Sequence, residues 1–196
     1  MKKEKRESIL SAARQMFGRY GIQKTNIDEL ARMAKVAKAT LYNYFGGKDQ
    51  IYTEVLNREA NDRLQQIISV VEQTRSPLDK LRCFIKIKYK QMKDRANIIN
   101  LPIEGGPYQL LPKIISIREK IFNREIQILR AILEEGIQEG IFYVDNALQS
   151  ARAIGYALRG FEFSSLLEQD NKSIDDDIDR FYTLICNGLK VGKGGI

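Results

Sequence analysis

Residues 25–47, TNIDELARMAKVAKATLYNYFGG, set two short helical patterns on either side of a break too brief for anything but a tight turn. Ile27, Leu30, Ala31 and Ala34 recur at helical spacing, and Leu41 and Phe45 repeat four apart. The stretch KVAK separates the two, and Gly46-Gly47 stops the second. Thr25 is the expected N-cap of the first helix, with Asp28 three residues later as a short-armed capping box. Helix, tight turn, helix is the layout of a helix-turn-helix, whose second helix enters the DNA major groove. That second helix is too short to be stable alone. Leu41 and Phe45 must therefore pin it to its neighbours.

With that face spent, Lys38, Ala39, Thr40, Tyr42, Asn43 and Tyr44 are left pointing outward or sideways. Small residues at the helix start permit close approach to base edges, while tyrosine hydroxyls and lysine ammonium groups donate to phosphates. A competing reading makes the tyrosines mere caps on a core edge; it suits one tyrosine better than the set.

Helical periodicity continues on both sides. Ile9, Leu10, Ala13, Met16, Phe17 and Tyr20 predict a first helix that ends near Arg19 and stops at Gly21. A long helix follows over 48–73, and Ser76-Pro77 opens another carrying Leu78, Leu81, Phe84, Ile85, Lys88 and Met92. Residues 97–113 hold three of the four prolines and read as short, bent helical pieces. Ile114, Ile117, Ile121, Ile128 and Ile132 mark a long helix ending near Gly136 to Gly140. Asp145 is the expected cap of a helix to about Leu167, and Ser173 of a last one with Asp175, Asp176 and Asp177 in its first turn. The expected fold is all-α. Residues 1–50 form a three-helix DNA-binding domain, the helix at 48–73 is the connector, and residues 51–196 are a helical bundle.

The net charge of +7 is uneven. Residues 1–65 hold 13 basic against 8 acidic side chains, a net +5, which leaves +2 for the remainder. Histidine is absent, which removes the commonest general base and metal ligand together. Glu104-Gly105-Gly106 is not a phosphate-binding loop, and Glu134 and Glu135 diverge on a helix. No catalytic residue, metal site or cofactor is expected. Cys83 and Cys186 read as reduced, buried thiols. The charged start MKKEKRESIL lacks an apolar signal core, and no run suits a membrane span. A soluble, cytoplasmic protein without a membrane partner is the expectation.

Residues 8–52 resemble the N-terminal domain of the TetR family of transcriptional regulators. The matching elements are SILSAARQMFGRYGIQKTNIDELARMA, then KATLYNYF, then Lys48 followed by Asp49 and Ile51. The resemblance implies that Thr25, Tyr42 and Lys48 hold phosphates, and that Lys38, Ala39, Thr40, Asn43 and Tyr44 meet bases or nearby backbone. Two positions depart from the family. Lys35 stands where glycine is usual in the turn, and Ala37 where serine usually opens the recognition helix. Alanine is the poorer N-cap by about 1 kcal/mol and offers no hydroxyl to a phosphate; Lys35 is the expected partial replacement.

The resemblance further implies a homodimer, built from the helices at about 145–168 and 173–191, on a palindromic double-stranded operator. Its recognition helices would stand about 34–36 Å apart. Ala147, Ala151 and Gly155 would let a partner helix approach closely, with Leu158, Ile178, Phe181, Ile185 and Leu189 completing the interface; the bland alternative packs these faces within one monomer. A small-molecule inducer is implied in the C-terminal domain, acting by binding one dimer geometry better than another, with the connector as lever. Phe84, Lys88, Met92, Ile99, Tyr108, Leu111, Phe122, Ile126, Tyr156 and Phe163 are the candidate lining. They suit a largely apolar ligand with an acidic group meeting Lys88. The implied function is a repressor released from its operator by that ligand. The rival is a helical adaptor that binds protein and not DNA, which a flat salt dependence would reveal.

Overall fold

The computed structural model describes residues 2–93, 108–167 and 171–189. Ile99 lies outside the described residues, as do the side chains of Tyr108, Phe163 and Ser173. The helices are α1 (Lys2–Lys24), α2 (Ile27–Met33), α3 (Lys38–Phe45), α4 (Lys48–Glu72), α5 (Pro77–Lys93), α6 (Leu111–Gln138), α7 (Ala147–Leu167) and α8 (Asn171–Leu189), with a 3₁₀ turn at Tyr108–Leu110. Among the described residues every regular element is helical, and the fold is all-α as the periodicity predicts.

The chain forms two compact units, one of residues 1–62 with 94–120, the other of 63–93 with 121–196. Residues of α4 and of α6 are divided between them.

In the first unit, Ile9, Leu10, Ala13 and Phe17 of α1, Leu30 and Ala31 of α2, Leu41 of α3 and Ile51, Val55 and Leu56 of α4 are all buried. Phe17 packs edge-on against Tyr52 at 5.2 Å between ring centres. Burial of a leucine such as Leu41 contributes about 1.5–3 kcal/mol, more than a helix this short gains from its own hydrogen bonds. Helix α1 continues past the expected stop: Gly21 breaks it (φ 73, ψ 165), and helix resumes to Lys24. Two expected core positions differ. Tyr20 is exposed beneath the Arg19 guanidinium, and Phe45 is only half-buried, with the Arg6 guanidinium 5.5 Å from its ring centre.

In the second unit the core joins Leu81, Phe84 and Ile85 of α5, Leu129 and Leu133 of α6, Phe142, Ala151, Ile154 and Leu158 of α7 and its lead-in, and Ile178 of α8. Of the expected isoleucine row on α6, Ile114, Ile117 and Ile132 are buried, and the buried face broadens beyond that row. Phe122, Ile126, Leu129 and Leu133 are buried, whereas Ile121 and Ile128 are half-buried. Asn146, not Asp145, caps α7, its side-chain oxygen accepting from Gln149 N at 3.0 Å. Ser173 lies inside α8 and so is not its cap. Cys186 is buried and Cys83 half-buried, both as free thiols.

Candidate nucleic-acid interface

The path from α2 to α3 is set by backbone hydrogen bonds. Asn26 caps α2, its Oδ1 accepting from Asp28 N at 2.8 Å. Thr25 cannot fill that role because its hydroxyl donates to Gly21 O at 2.7 Å and the residue is buried. At the other end, Lys35 N donates to Arg32 O and Val36 N to Ala31 O, at 3.1 and 3.0 Å. This is a Schellman motif, and it forces Lys35 into the left-handed region (φ 55). Glycine is the usual occupant of such a position because it has no Cβ to clash.

Helix α3 then starts at an uncapped end. Ala37 is extended and its side chain accepts nothing. Gly46 closes the helix in the left-handed region (φ 81), its N–H donating to Tyr42 O at 2.8 Å. Leu41 is wholly buried. Lys38, Ala39, Tyr42 and Asn43 are exposed, and Thr40 and Tyr44 are half-buried. Tyr42, at 47% exposure, is one of the exposed large hydrophobic side chains among the described residues.

The cations near this face are not equivalent. Lys38 Nζ lies 3.0 Å from an Asp28 carboxylate oxygen, across the turn. The hydrogen bond to Asp28, joined by its charge, raises the Lys38 pKa above the usual lysine value. The structure therefore gives Lys38 a carboxylate partner that the sequence did not suggest. Lys48 Nζ instead rests on neutral carbonyl oxygens, 3.2 Å from Thr25 O and 3.5 Å from Gln23 O. Among the described residues no carboxylate pairs with it. Lys35 is exposed. The structure thus brings Thr25 and Lys48 together at the start of α4, with Lys35 exposed in the turn and Lys38 paired to Asp28 at the start of α3.

Two further positions escaped sequence reasoning. Arg6 of α1 stacks on Phe45 and pairs with Glu54 of α4, and Ser8 Oγ donates to Ala34 O at 2.8 Å. Nothing local in MKKEKRES signals either contact, since each partner comes from a separate helix.

In the second unit, Phe84, Met92, Phe122 and Ile126 are buried. Lys88 Nζ already has an acid, Glu125 Oε1 at 2.9 Å, with both side chains buried; no ligand carboxylate is needed to neutralise it. Tyr156 is exposed, its ring 5.2 Å from Phe122, over which the Arg159 guanidinium sits at 3.6 Å. Leu111 belongs to the other unit and is half-buried.

Two of the small residues of α7, Ala151 and Gly155, pack within the chain itself. A Cβ on Gly155 would overlap Ile126 of α6, and Ala151, Leu158, Ile178 and Leu189 are buried in the protomer's own core. Ala147, Phe181 and Ile185 pack against that core, half-buried. The outward side chains of α7 and α8 include instead Tyr156 and Leu184, the latter 70% exposed. Among the described residues, no helix is long and apolar enough to cross a membrane, and no group of three or more acidic or cysteine side chains is placed to hold a metal ion.

Residues 9–55 match the family described as bacterial regulatory proteins, tetR family. The transcriptional repressor KstR2 of Mycolicibacterium smegmatis is 29% identical over 147 residues, covering 72% of this chain and 69% of that protein. The uncharacterized HTH-type regulator YuxN of Bacillus subtilis is 22% identical over 125 residues, covering 64% of this chain. The chain spans 43% of YuxN and 34% of HbdR of Aromatoleum, less than half of each. Among solved structures, a TetR-family regulator from Agrobacterium tumefaciens superposes with a TM-score of 0.71 at 17% identity, over 94% of this chain and 98% of that one. FadR of Bacillus subtilis, crystallised with stearoyl-CoA, does so with 0.67 at 19% identity, over 96% and 99%. At these identities the likeness is one of fold.

Proposed function

We propose that this chain, whose residues 9–55 match the tetR family of bacterial regulatory proteins, is a regulator of that family, a sequence-specific DNA-binding protein whose α3 enters the major groove. One observation carries the reading. Leu41 is wholly buried while Ala39, Tyr42 and Asn43, from the same two turns, face solvent. A helix that cannot stand alone is thereby held with its reading side free. In this reading Tyr42, Lys48 and Lys35 meet phosphates, Ala39, Thr40, Asn43 and Tyr44 meet base edges or nearby backbone, and Lys38 contributes through its pair with Asp28. Thr25 contributes through its backbone, since its hydroxyl is engaged.

The finer assignment is a homodimeric repressor on a palindromic operator. Residues 1–50 bind DNA, 48–73 connect, and the rest dimerises and meets a small, largely apolar effector. The exposed Tyr156 and Leu184 support placing the dimer contact on the outward faces of α7 and α8. The buried Lys88–Glu125 pair, flanked on its own helices by Phe84, Met92, Phe122 and Ile126, supports an effector with a polar end, because an apolar interior with one charged pair offers that contrast. The binding of stearoyl-CoA by FadR and the naming of KstR2 as a repressor agree in kind.

The test is selection of bound duplexes from a random-sequence library, followed by titration of the enriched duplex at several salt concentrations. The expected result is an inverted-repeat motif and a steep fall of affinity with salt. No enrichment, or an affinity indifferent to salt, overturns the proposal in favour of a protein-binding adaptor.

A further inference from the structure

Helix α1 opens with Lys2, Lys3, Lys5 and Arg6 against one acidic residue, Glu4. This order runs against the helix dipole, whose positive end repels cations. A local rule broken without compensation inside the fold marks a requirement of function. Arg6 has its compensation, the Glu54 carboxylate and the Phe45 ring. Lys3 and Lys5 have none: both are exposed, and neither side chain makes an ion pair or hydrogen bond among the described residues.

Their placement follows from the helix repeat. Ser8, bonded to Ala34 O, seats α1 against the α2–α3 turn. Lys5 precedes Ser8 by three residues and so shares that face, one turn nearer the helix start. Lys3 precedes Arg6 by three and shares the face that touches Phe45, at the far end of α3. Two uncompensated ammonium groups therefore flank the recognition segment from the α1 side. Lys35, exposed in the turn itself, adds a third positive charge to this edge.

We propose that Lys3 and Lys5 are a second phosphate-binding element, gripping the DNA backbone beside the groove that receives α3. This rests on the DNA-binding reading above. Duplex DNA carries one negative charge per about 1.7 Å of its axis, so neighbouring phosphates are available to both side chains. Those phosphates also remove the conflict with the helix dipole: an arrangement unfavourable in the free protein becomes favourable in the complex.

The experiment compares the full chain with the double variant Lys3→Ala/Lys5→Ala on a mixed-sequence duplex of about 40 base pairs, with affinity measured across a salt series. The slope of log affinity against log salt should be shallower by about 2 in the variant, near one per lysine. Its melting temperature should be unchanged or higher, because two cations have left a positive helix end. Lys3→Arg/Lys5→Arg should restore the slope. An unchanged slope overturns the proposal while leaving α3 as the reader. So does a binding loss that tracks a lower melting temperature, since the lysines would then be holding the fold. If the unaltered chain shows no salt-dependent binding to any duplex, it is the DNA-binding reading that fails.

Discussion

Lys48 Nζ lies 3.2 Å from the carbonyl oxygen of Thr25, tying the first turn of α4 to the link between α1 and α2. An ammonium group resting on neutral carbonyls keeps its full charge, so this contact can fix position and leave attraction for a phosphate. Lys48→Ala is expected to weaken duplex binding and flatten its salt slope by about 1. The loss of unfolding free energy should stay within about 1 kcal/mol, the net worth of such hydrogen bonds. Binding titrations paired with urea denaturation separate the two effects; a large stability loss without a change in slope would contradict the assignment.

Lys35 holds a left-handed backbone that a side chain disfavours. Lys35→Gly should therefore stabilise the chain by about 0.5–1 kcal/mol after glycine's greater unfolded-state freedom is set against the relief. The same variant should bind DNA less well if the ammonium meets a phosphate. Stability rising while affinity falls is the expected pair of readings, from chemical denaturation and titration.

Gly136 sits where a Cβ would overlap the Phe142 ring, itself 1% exposed. A rigid ring in a filled core cannot turn aside as a flexible chain end can. Gly136→Ala should destabilise the second unit by about 1–3 kcal/mol from overpacking, less the helix propensity gained. Thermal unfolding with and without the substitution checks it, and an unchanged midpoint would show that Phe142 can move.

How much of this was legible in the sequence depends on how far apart the interacting groups lie. The buried row Ile9, Leu10, Ala13, Met16 and Phe17 follows from spacing alone, as does the peg at Leu41. Two caps were legible to within a residue, whereas the expected cap Ser173 falls inside α8. Thr25 and Asn26, or Asp145 and Asn146, are neighbours that can each do the work, and Thr25 is taken out of play by a bond to Gly21 that no pattern announces. The stripe of Ala147, Ala151 and Gly155 announces close approach but not whose helix approaches, and α6 of the same protomer takes the place at Gly155. Charges were read worst. Lys88 finds Glu125, and Lys38 finds Asp28, through folding rather than sequence proximity.

Tyr182 on α8 has its pKa pushed up to about 12, first by burial and then by a hydrogen bond shared with Cys186. The folded chain thus holds this proton to higher pH than the unfolded chain, where the group titrates at 10.0. Its contribution to stability is whole below pH 10 and is lost as the pH rises toward 12. Tyr182→Phe should show a shallower decline of melting temperature across that window than the unaltered chain. Identical declines would assign the alkaline loss to other groups.

Gly21 adopts φ 73 and ψ 165, a backbone region essentially reserved for glycine, although nothing crowds its missing side chain. The carbonyls of Gln23 and Thr25, on which Lys48 leans, follow directly from that bend. The aim of the whole reading head is thereby delegated to an atom that is not there. A single methyl at this hinge would leave every side chain of the groove-facing helix intact and still swing the docking post out from under the connector.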